Sequence, residues 1–456
     1  MKVLLVSLSL APAFSVVSLA AAPAQSGSGE IISTIGSERA TTGNNNKIVT
    51  HKGKTHVVWQ DSTKDGYINR VRTLEHQTGK WSATTTFNKA RSNHARPSLA
   101  IDSRGFLHVI LSGHNSAIRW RRSLRPNDSS EWTPAEEVGV GTYPAVVCGP
   151  DDTLLVTARA RGWRGVTLLI RSNGKWTQQR LVDRGEGWES YSTFTSGMAV
   201  GPDGAVHLVC NMACGKRRRP GLWQAVGYLR TRDAGRTWER ADGKATPLPV
   251  SDKDMDLLVE ANLPPRRLKN NFPEIPELVA NGNIVADSDG RPHILYVSHL
   301  ERPGQLILAT AAAQGQWTQR TILDAERKHP DMRPIGVSFP FTITSDNAFH
   351  LLLELVPLDD AWENGKPTRL MGLRSDPIKR LVRMKSIDRG KSFSVESVME
   401  PGDNFHMANI ERATNGRMIP ADGPPAWVYF EGSPDYPAKG RIQDNKVYFA
   451  APDREP

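Results

Sequence analysis

Residues 202–210 read PDGAVHLVC, a turn of Asp203 and Gly204 followed by a short apolar run that contains His207 near its start. The same phrase returns along the chain as DSRGFLHVIL from Asp102, PDDTLLVTA from Pro150, DSDGRPHILYV from Asp287 and SDNAFHLLLEL from Ser345. Asp-Gly and Asp-Asn pairs between apolar runs signal tight hairpins, because these residues accept the positive φ that such turns demand. A second phrase falls between the copies of the first: TGKWSA around Trp81, SSEWTP around Trp132, NGKWTQ around Trp176 and QGQWTQ around Trp317. Two further copies, TRDAGRTW from Thr231 and SIDRGKSF from Ser386, have the Asp-box form, in which the Asp caps a hairpin and the aromatic packs between sheets. Those boxes are structural and say little about chemistry.

The units fall at roughly 43–82, 94–133, 142–177, 195–239, 281–318, 338–394 and 405–449. Seven units of four short strands, none able to bury both faces alone, predict an all-β chain folded as a seven-bladed β-propeller. No long stretch of 3.6-residue periodicity competes with that reading. A Pro- and charge-rich segment at 241–279 interrupts the repeat and reads as an insertion. Gly and Pro make up about 15% of the 456 residues, which suits a turn-rich folded chain and lies well below low-complexity composition.

At the N-terminus, Met1-Lys2 leads into an apolar stretch and then small residues at Ala20, Ala21, Ala22 and Ala24, the layout of a secretory signal peptide. The expected organisation is a signal peptide over 1–22, a leader over 23–42 and a propeller over 43–450, giving a secreted or periplasmic protein, expected to be a monomer. The formal charge is +10, and losing the leader peptide removes one lysine to leave +9. That sign favours a polyanionic partner by steering without naming it. Export and the lack of a basic helix argue against nucleic acid, and no later window is apolar enough for a membrane span. The run Lys216-Arg217-Arg218-Arg219 reads as a solvated loop.

Three cysteines, Cys148, Cys210 and Cys214, are too few for a disulfide scaffold. Cys210 and Cys214 with His207 form a weak metal signal, and a small disulfide or buried free thiols is the simpler reading. His108, His207, His293 and His350 occupy the strand-opening slot of the repeat and read as structural.

Propellers bind ligands at one mouth of the channel, where inner strands of successive blades converge. Blade two, SNHARPSLAIDSRGFLHVILSGHN, sets His94 before one strand and His114-Asn115 at the end of the next, 20 residues on. Blade three, TYPAVVCGPDDTLLVTAR, sets Tyr143 and Arg159 in matching places, 16 residues apart. Hairpin pairing then makes His94 a neighbour of His114 and Tyr143 a neighbour of Arg159. Arg161 shares the strand end with Arg159, and Gly113 is compact enough to let a ligand approach His114.

Two His, one Tyr and one Arg suit β-elimination at a 4-linked uronic acid. Arg neutralises the carboxylate and so acidifies the proton at carbon 5, a neutral His takes that proton, and a phenol protonates the leaving oxygen. The chemistry calls for no cofactor, so Ca²⁺ or Zn²⁺ would serve only structurally. A glycoside hydrolase needs a carboxylate pair, and none stands at equivalent blade positions.

With the phrases SGHN and TYP, the His-x19-His and Tyr-x15-Arg spacings resemble the BNR-repeat polysaccharide lyases, that is, the seven-bladed ulvan lyases and the related rhamnose-glucuronate lyases. The resemblance implies His114 as the catalytic histidine, Tyr143 as its acid or base partner, and Arg159 with His94 as the pair that holds the carboxylate. It also implies an acidic, rhamnose-containing polysaccharide as substrate. Asn115 and, in the phrase DNFHMANIER, His406 are read as substrate contacts. Two other readings compete. The Asp boxes suggest a sialidase-like hydrolase, although no three-Arg cluster with a Tyr/Glu pair is evident, and the Trp-rich blades suggest a non-catalytic carbohydrate-binding propeller.

Overall fold

The Asp-containing phrases become hairpins because each Asp caps its own turn. Asp102 accepts the amides of Arg104 and Phe106, and Asp287 those of Asp289 and Arg291, so the next strand starts in register. In both units the strand-opening histidine folds back on the same carboxylate, His108 at 3.4 Å and His293 at 3.2 Å. The two Asp boxes repeat one pattern. Asp233 accepts the amide and hydroxyl of Thr237, Asp388 those of Ser392, and the aromatics Trp238 and Phe393 are buried.

The computed structural model describes residues 29–451 apart from 43–44, 163–164, 184–187, 217–221, 264–278, 299, 301–304, 325–331, 336–339, 358–361, 364–365, 368–379, 400–404, 423–424, 434–436 and 438–439. The expected signal peptide over 1–22 and residues 217–219 of the basic run lie outside these. Every regular element among the described residues is a β-strand, and nearly all pair antiparallel with their sequence neighbours.

The core divides into seven apolar clusters among the described residues, each filled from two successive units. Leu99 and Val109 meet Val58 and Val71; Val146 and Val156 meet Ile110 and Ile118; Leu208 and Trp223 meet Leu155 and Leu168. Further along, Ile294 and Tyr296 meet Val209 and Tyr228, Phe341 and Phe349 meet Leu295 and Val297, and Ala408 and Tyr429 meet Leu352 and Leu381. The last cluster joins the chain ends, with Val428 and Phe430 against Val57 and Trp59. The leading strands follow the same order: Ile48–His51 packs on Ser98–Ile101, then Glu136–Cys148, Trp188–Val200, Val279–Ala286 and Phe341–Ile343 in turn.

Two boundaries differ from the sequence reading. Residues 30–36, taken as part of a leader, form the strand Glu30–Gly36, which pairs with Asn445–Ala450 on one side and meets Lys54–Thr63 on the other. The first and last units thereby share one sheet, because EIISTIG supplies an edge that the three C-terminal strands lack. Within the expected insertion at 241–279, Asp256–Leu263 is a regular strand that pairs along Leu222–Thr231 and buries Leu258 and Ala261. The apolar positions in DLLVEANL override the surrounding Pro and charge.

Candidate active site

The register Ser98↔Ile110 and Leu99↔Val109, continued past the end of the hairpin, sets His94 opposite His114. Their imidazoles are stacked, with centroids 4.7 Å apart and planes 25° from parallel. Tyr143 arrives by another route. The strand Glu136–Cys148 first pairs with Ser116–Arg122 and then, from Gly141 on, with Leu154–Ala160. Its register breaks between Thr142 and Ala145, and Tyr143 sits on that bulge with φ at +58°. A non-glycine residue there is uncommon and stores on the order of 1 kcal/mol or more, a cost that clusters at functional sites.

The surroundings hold this strained turn. Asn45 donates from its Nδ2 to the carbonyls of Pro97 (3.1 Å) and Pro144 (3.0 Å), joining the loop that carries His94 to the bulge that carries Tyr143. Lys47 also donates to the Pro97 carbonyl. Thr142, fully buried beneath the bulge, accepts the Asn115 amide at 2.8 Å and donates to Asn115 Oδ1 at 3.1 Å.

Tyr143 Oη and His94 Nδ1 share a short hydrogen bond, and their rings meet edge to face with centroids 5.1 Å apart. The Arg159 guanidinium lies 5.0 Å from the Tyr143 ring centroid and that of Arg96 lies 4.6 Å from it. Burial, reinforced by the charges of Arg39, Arg96, His114 and Arg159, drives His94 down to about 2, so its imidazole is neutral at any working pH. It can therefore hold a carboxylate only by donating an N–H, leaving charge neutralisation to arginine. His114 stands at the exposed rim, and desolvation followed by the Arg159 charge lowers it as well, which keeps a free imidazole available to accept a proton.

The four residues singled out in the second and third units thus come together. Arg159 is buried against Tyr143, whereas Arg161 is exposed. Asn115 adjoins the site with its Oδ1 engaged by Thr142. His406 lies in the strand Phe405–Ile410 opposite Phe430, and its side chain is outside the described residues. At Gly113 a Cβ would meet the Ser116 hydroxyl, which the serine would have to turn away.

Sequence reasoning missed Arg96, Arg39 and Asn45. Arg96 stood in the quoted phrase, two residues after His94 and just before a proline. Arg39 lies in the stretch assigned to a leader, and between Gly36 and Thr42 it is the one residue that is not buried. That loop is tied to the His94 loop where Glu38 accepts Asn93 Nδ2 at 2.6 Å, and through Gln60, which accepts the Ser37 hydroxyl and donates to the Ala95 carbonyl at 2.9 Å. Burial raises Glu38, which also accepts the Tyr67 hydroxyl, so this carboxyl is committed to structure. Cys148 and Cys210 are buried free thiols, Cys210 pushed up to about 12 by desolvation, and the side chain of Cys214 lies outside the described residues. Among the described residues no three His, Cys, Asp or Glu side chains gather as a metal site.

An all-β chain of Asp-box units with a His, Tyr and Arg cluster at the edge of two of them defines a class, and comparison with known proteins agrees with it. The chain belongs to the BNR repeat-containing family, which it matches over residues 54–325. It is 25% identical over 171 residues to an ulvan lyase of Pseudoalteromonas sp. (strain PLSV), covering 32% of each chain, and 24% identical over 164 residues to an ulvan lyase of Nonlabens ulvanivorans, covering 30% of this chain and 32% of that one. The matched stretch spans about a third of the length of these relatives. The fold is that of an ulvan lyase of polysaccharide lyase family PL25, with a TM-score of 0.64 at 15% identity over 92% of this chain and 96% of the other. The polysaccharide lyase Uly1 superposes with a TM-score of 0.57 at 13% identity, covering 90% of each chain.

Proposed function

We propose that this protein is an exported polysaccharide lyase that cleaves the 4-linked bond to a glucuronate or iduronate by β-elimination, in a rhamnose-containing acidic polysaccharide such as ulvan or a rhamnose-glucuronate-capped glycan. The observation that carries the reading is the meeting of His94, His114, Tyr143 and Arg159 at one place. The ulvan lyase relatives favour the same chemistry, and one solved PL25 ulvan lyase is described as bound to -[GlcA(1-4)Rha3S]-. The chain of seven inter-unit cores, with N- and C-terminal strands in one sheet, supports a seven-bladed β-propeller with this cluster at a channel mouth.

In this mechanism Arg159 pairs with the uronate carboxylate, and His94 adds a neutral N–H. The withdrawn charge acidifies the proton at carbon 5, which His114 accepts. The freed pair forms the bond between carbons 4 and 5, the bond from carbon 4 to its glycosidic oxygen breaks, and that oxygen takes the Tyr143 proton. No step calls for a metal or organic cofactor. The net positive charge speeds encounter with a polyanion. The test is incubation with ulvan and with other polyuronides, following the absorbance of the unsaturated uronate. A rising signal is expected with ulvan. Binding without new absorbance or new reducing ends across the panel would replace the lyase with a carbohydrate-binding propeller.

A further inference from the structure

Arg96 has no part in the mechanism above, yet it touches the residue that does. It is 9% exposed, and its guanidinium is nearer the Tyr143 ring centroid, at 4.6 Å, than that of Arg159 at 5.0 Å. Two guanidinium groups thus lie against the phenol ring while its hydroxyl meets His94. Arg96 makes no salt bridge among the described residues, and its Nε is buried without a hydrogen-bond partner there. Arg39 and Arg159 add like charge beside it, and Lys47, fully buried and bonded to the carbonyl that follows Arg96, is itself pushed well down by burial.

Burying an unpaired cation next to another is unfavourable, and an apolar side chain of the same length would pack against a ring at less cost. The cost has an explanation if negative charge develops on the Tyr143 oxygen during turnover. A cation over an aromatic face is attracted by the ring, and the attraction grows when the ring carries a phenolate. Arg96 itself is driven down to about 10 by burial, an effect that Tyr143 opposes, and it stays charged at neutral pH.

We propose that Arg96 is a positioning residue that holds Tyr143 and stabilises the phenolate left when Tyr143 gives its proton to the departing sugar oxygen. Arg159 meets the substrate carboxylate, and Arg96 acts through Tyr143. This rests on the lyase reading. In proton terms, the carbon-bound proton passes to His114, the Tyr143 proton passes to the leaving oxygen, and both groups return to their starting states by exchange with water.

The experiment compares Arg96→Met, Arg96→Lys and Arg96→Ala with wild type on ulvan, with a thermal melt for each. Arg96→Met should lower kcat about 100-fold with KM changed less than about twofold, the range seen when one charge-stabilising donor is lost, and should melt no lower than wild type. Arg96→Lys should recover at least tenfold of that loss. Arg96→Ala should regain activity on addition of guanidinium at millimolar concentration and gain nothing from methylurea, a neutral group of like shape. A normal kcat in Arg96→Met, a loss confined to KM, or equal rescue by both additives would overturn the role given to Arg96. A wild-type protein inactive on every polyuronide would remove the lyase reading, and this inference with it.

Discussion

Acidification should destabilise this protein through its buried histidines well before its carboxylates respond. His56, His207 and His350 are buried, and desolvation lowers each from 6.5 to about 4. His207 Nε2 and His350 Nδ1 have no hydrogen-bond partner among the described residues, which suits neutral rings. Because the folded value is depressed, the stability contribution is complete above about 6.5 and is lost as the pH falls towards 4, where the unfolded chain binds protons that the folded chain refuses. At pH 5.5 the penalty is about 1.4 kcal/mol for each ring, and His94, driven lower still, adds as much, about 6 kcal/mol for the four, against the 5–15 kcal/mol typical of folded domains. For a chain of this size that is a fall in Tm of roughly 6 °C between pH 7.5 and 5.5. Glu38 and Asp61, both raised by burial, act in the opposite sense, but only near the carboxylate range. Asp102, Asp287 and Asp388, held low by hydrogen bonds that outweigh their burial, lose their contribution lower still. A melting series in buffers of matched ionic strength reads this directly. A Tm that stays flat from pH 7.5 to 5.5 and falls only below 4 would refute the assignment to histidine.

Three further outcomes follow from the site and its supports. Asn45→Ala removes both clamps on the Pro97 and Pro144 carbonyls, of which only Pro97 keeps another donor among the described residues; stability should fall by about 1–2 kcal/mol and kcat by roughly 10- to 100-fold, as steady-state assay and melting will show. Asp388→Ala should cost about 2 kcal/mol in an unfolding titration and leave kcat unaltered, since its bonds to Ser386 and Ser392 are structural. Arg159→Ala should lower kcat/KM by about 1,000-fold while Arg161→Ala leaves it within twofold, a contrast that fails if the exposed arginine is the one that meets the carboxylate.

Much of this arrangement was legible because the repeat carries its own turns. The Asp-turn phrases fixed the hairpins, and counting across one hairpin was enough to pair His94 with His114. The same count placed Tyr143 beside Arg159 but could not show the bulge, since a register break at Thr142 depends on where two sheets meet and leaves no mark in TYP beyond the proline. Arg39 was illegible for a different reason. Glu30–Gly36 meets Lys54–Thr63 only where Gly36 faces Asp61, and the return of Asn445–Ala450 from the far end of the chain pairs the rest of it. Asn45 stayed hidden because its acceptors, at Pro97 and Pro144, lie in two other units. The strand Asp256–Leu263 finds an open sheet edge through Leu258 and Ala261 despite the Pro and charge of the segment around it.

The central claim is that His114 and Tyr143 transfer protons at a uronate whose charge Arg159 neutralises. It is tested most directly by the absorbance of unsaturated product from ulvan, measured for wild type, His114→Ala and Tyr143→Phe side by side. The account predicts a steady rise for wild type and a loss of at least 100-fold in each variant, with folded melting curves in all three. Undiminished product formation by either variant would contradict it.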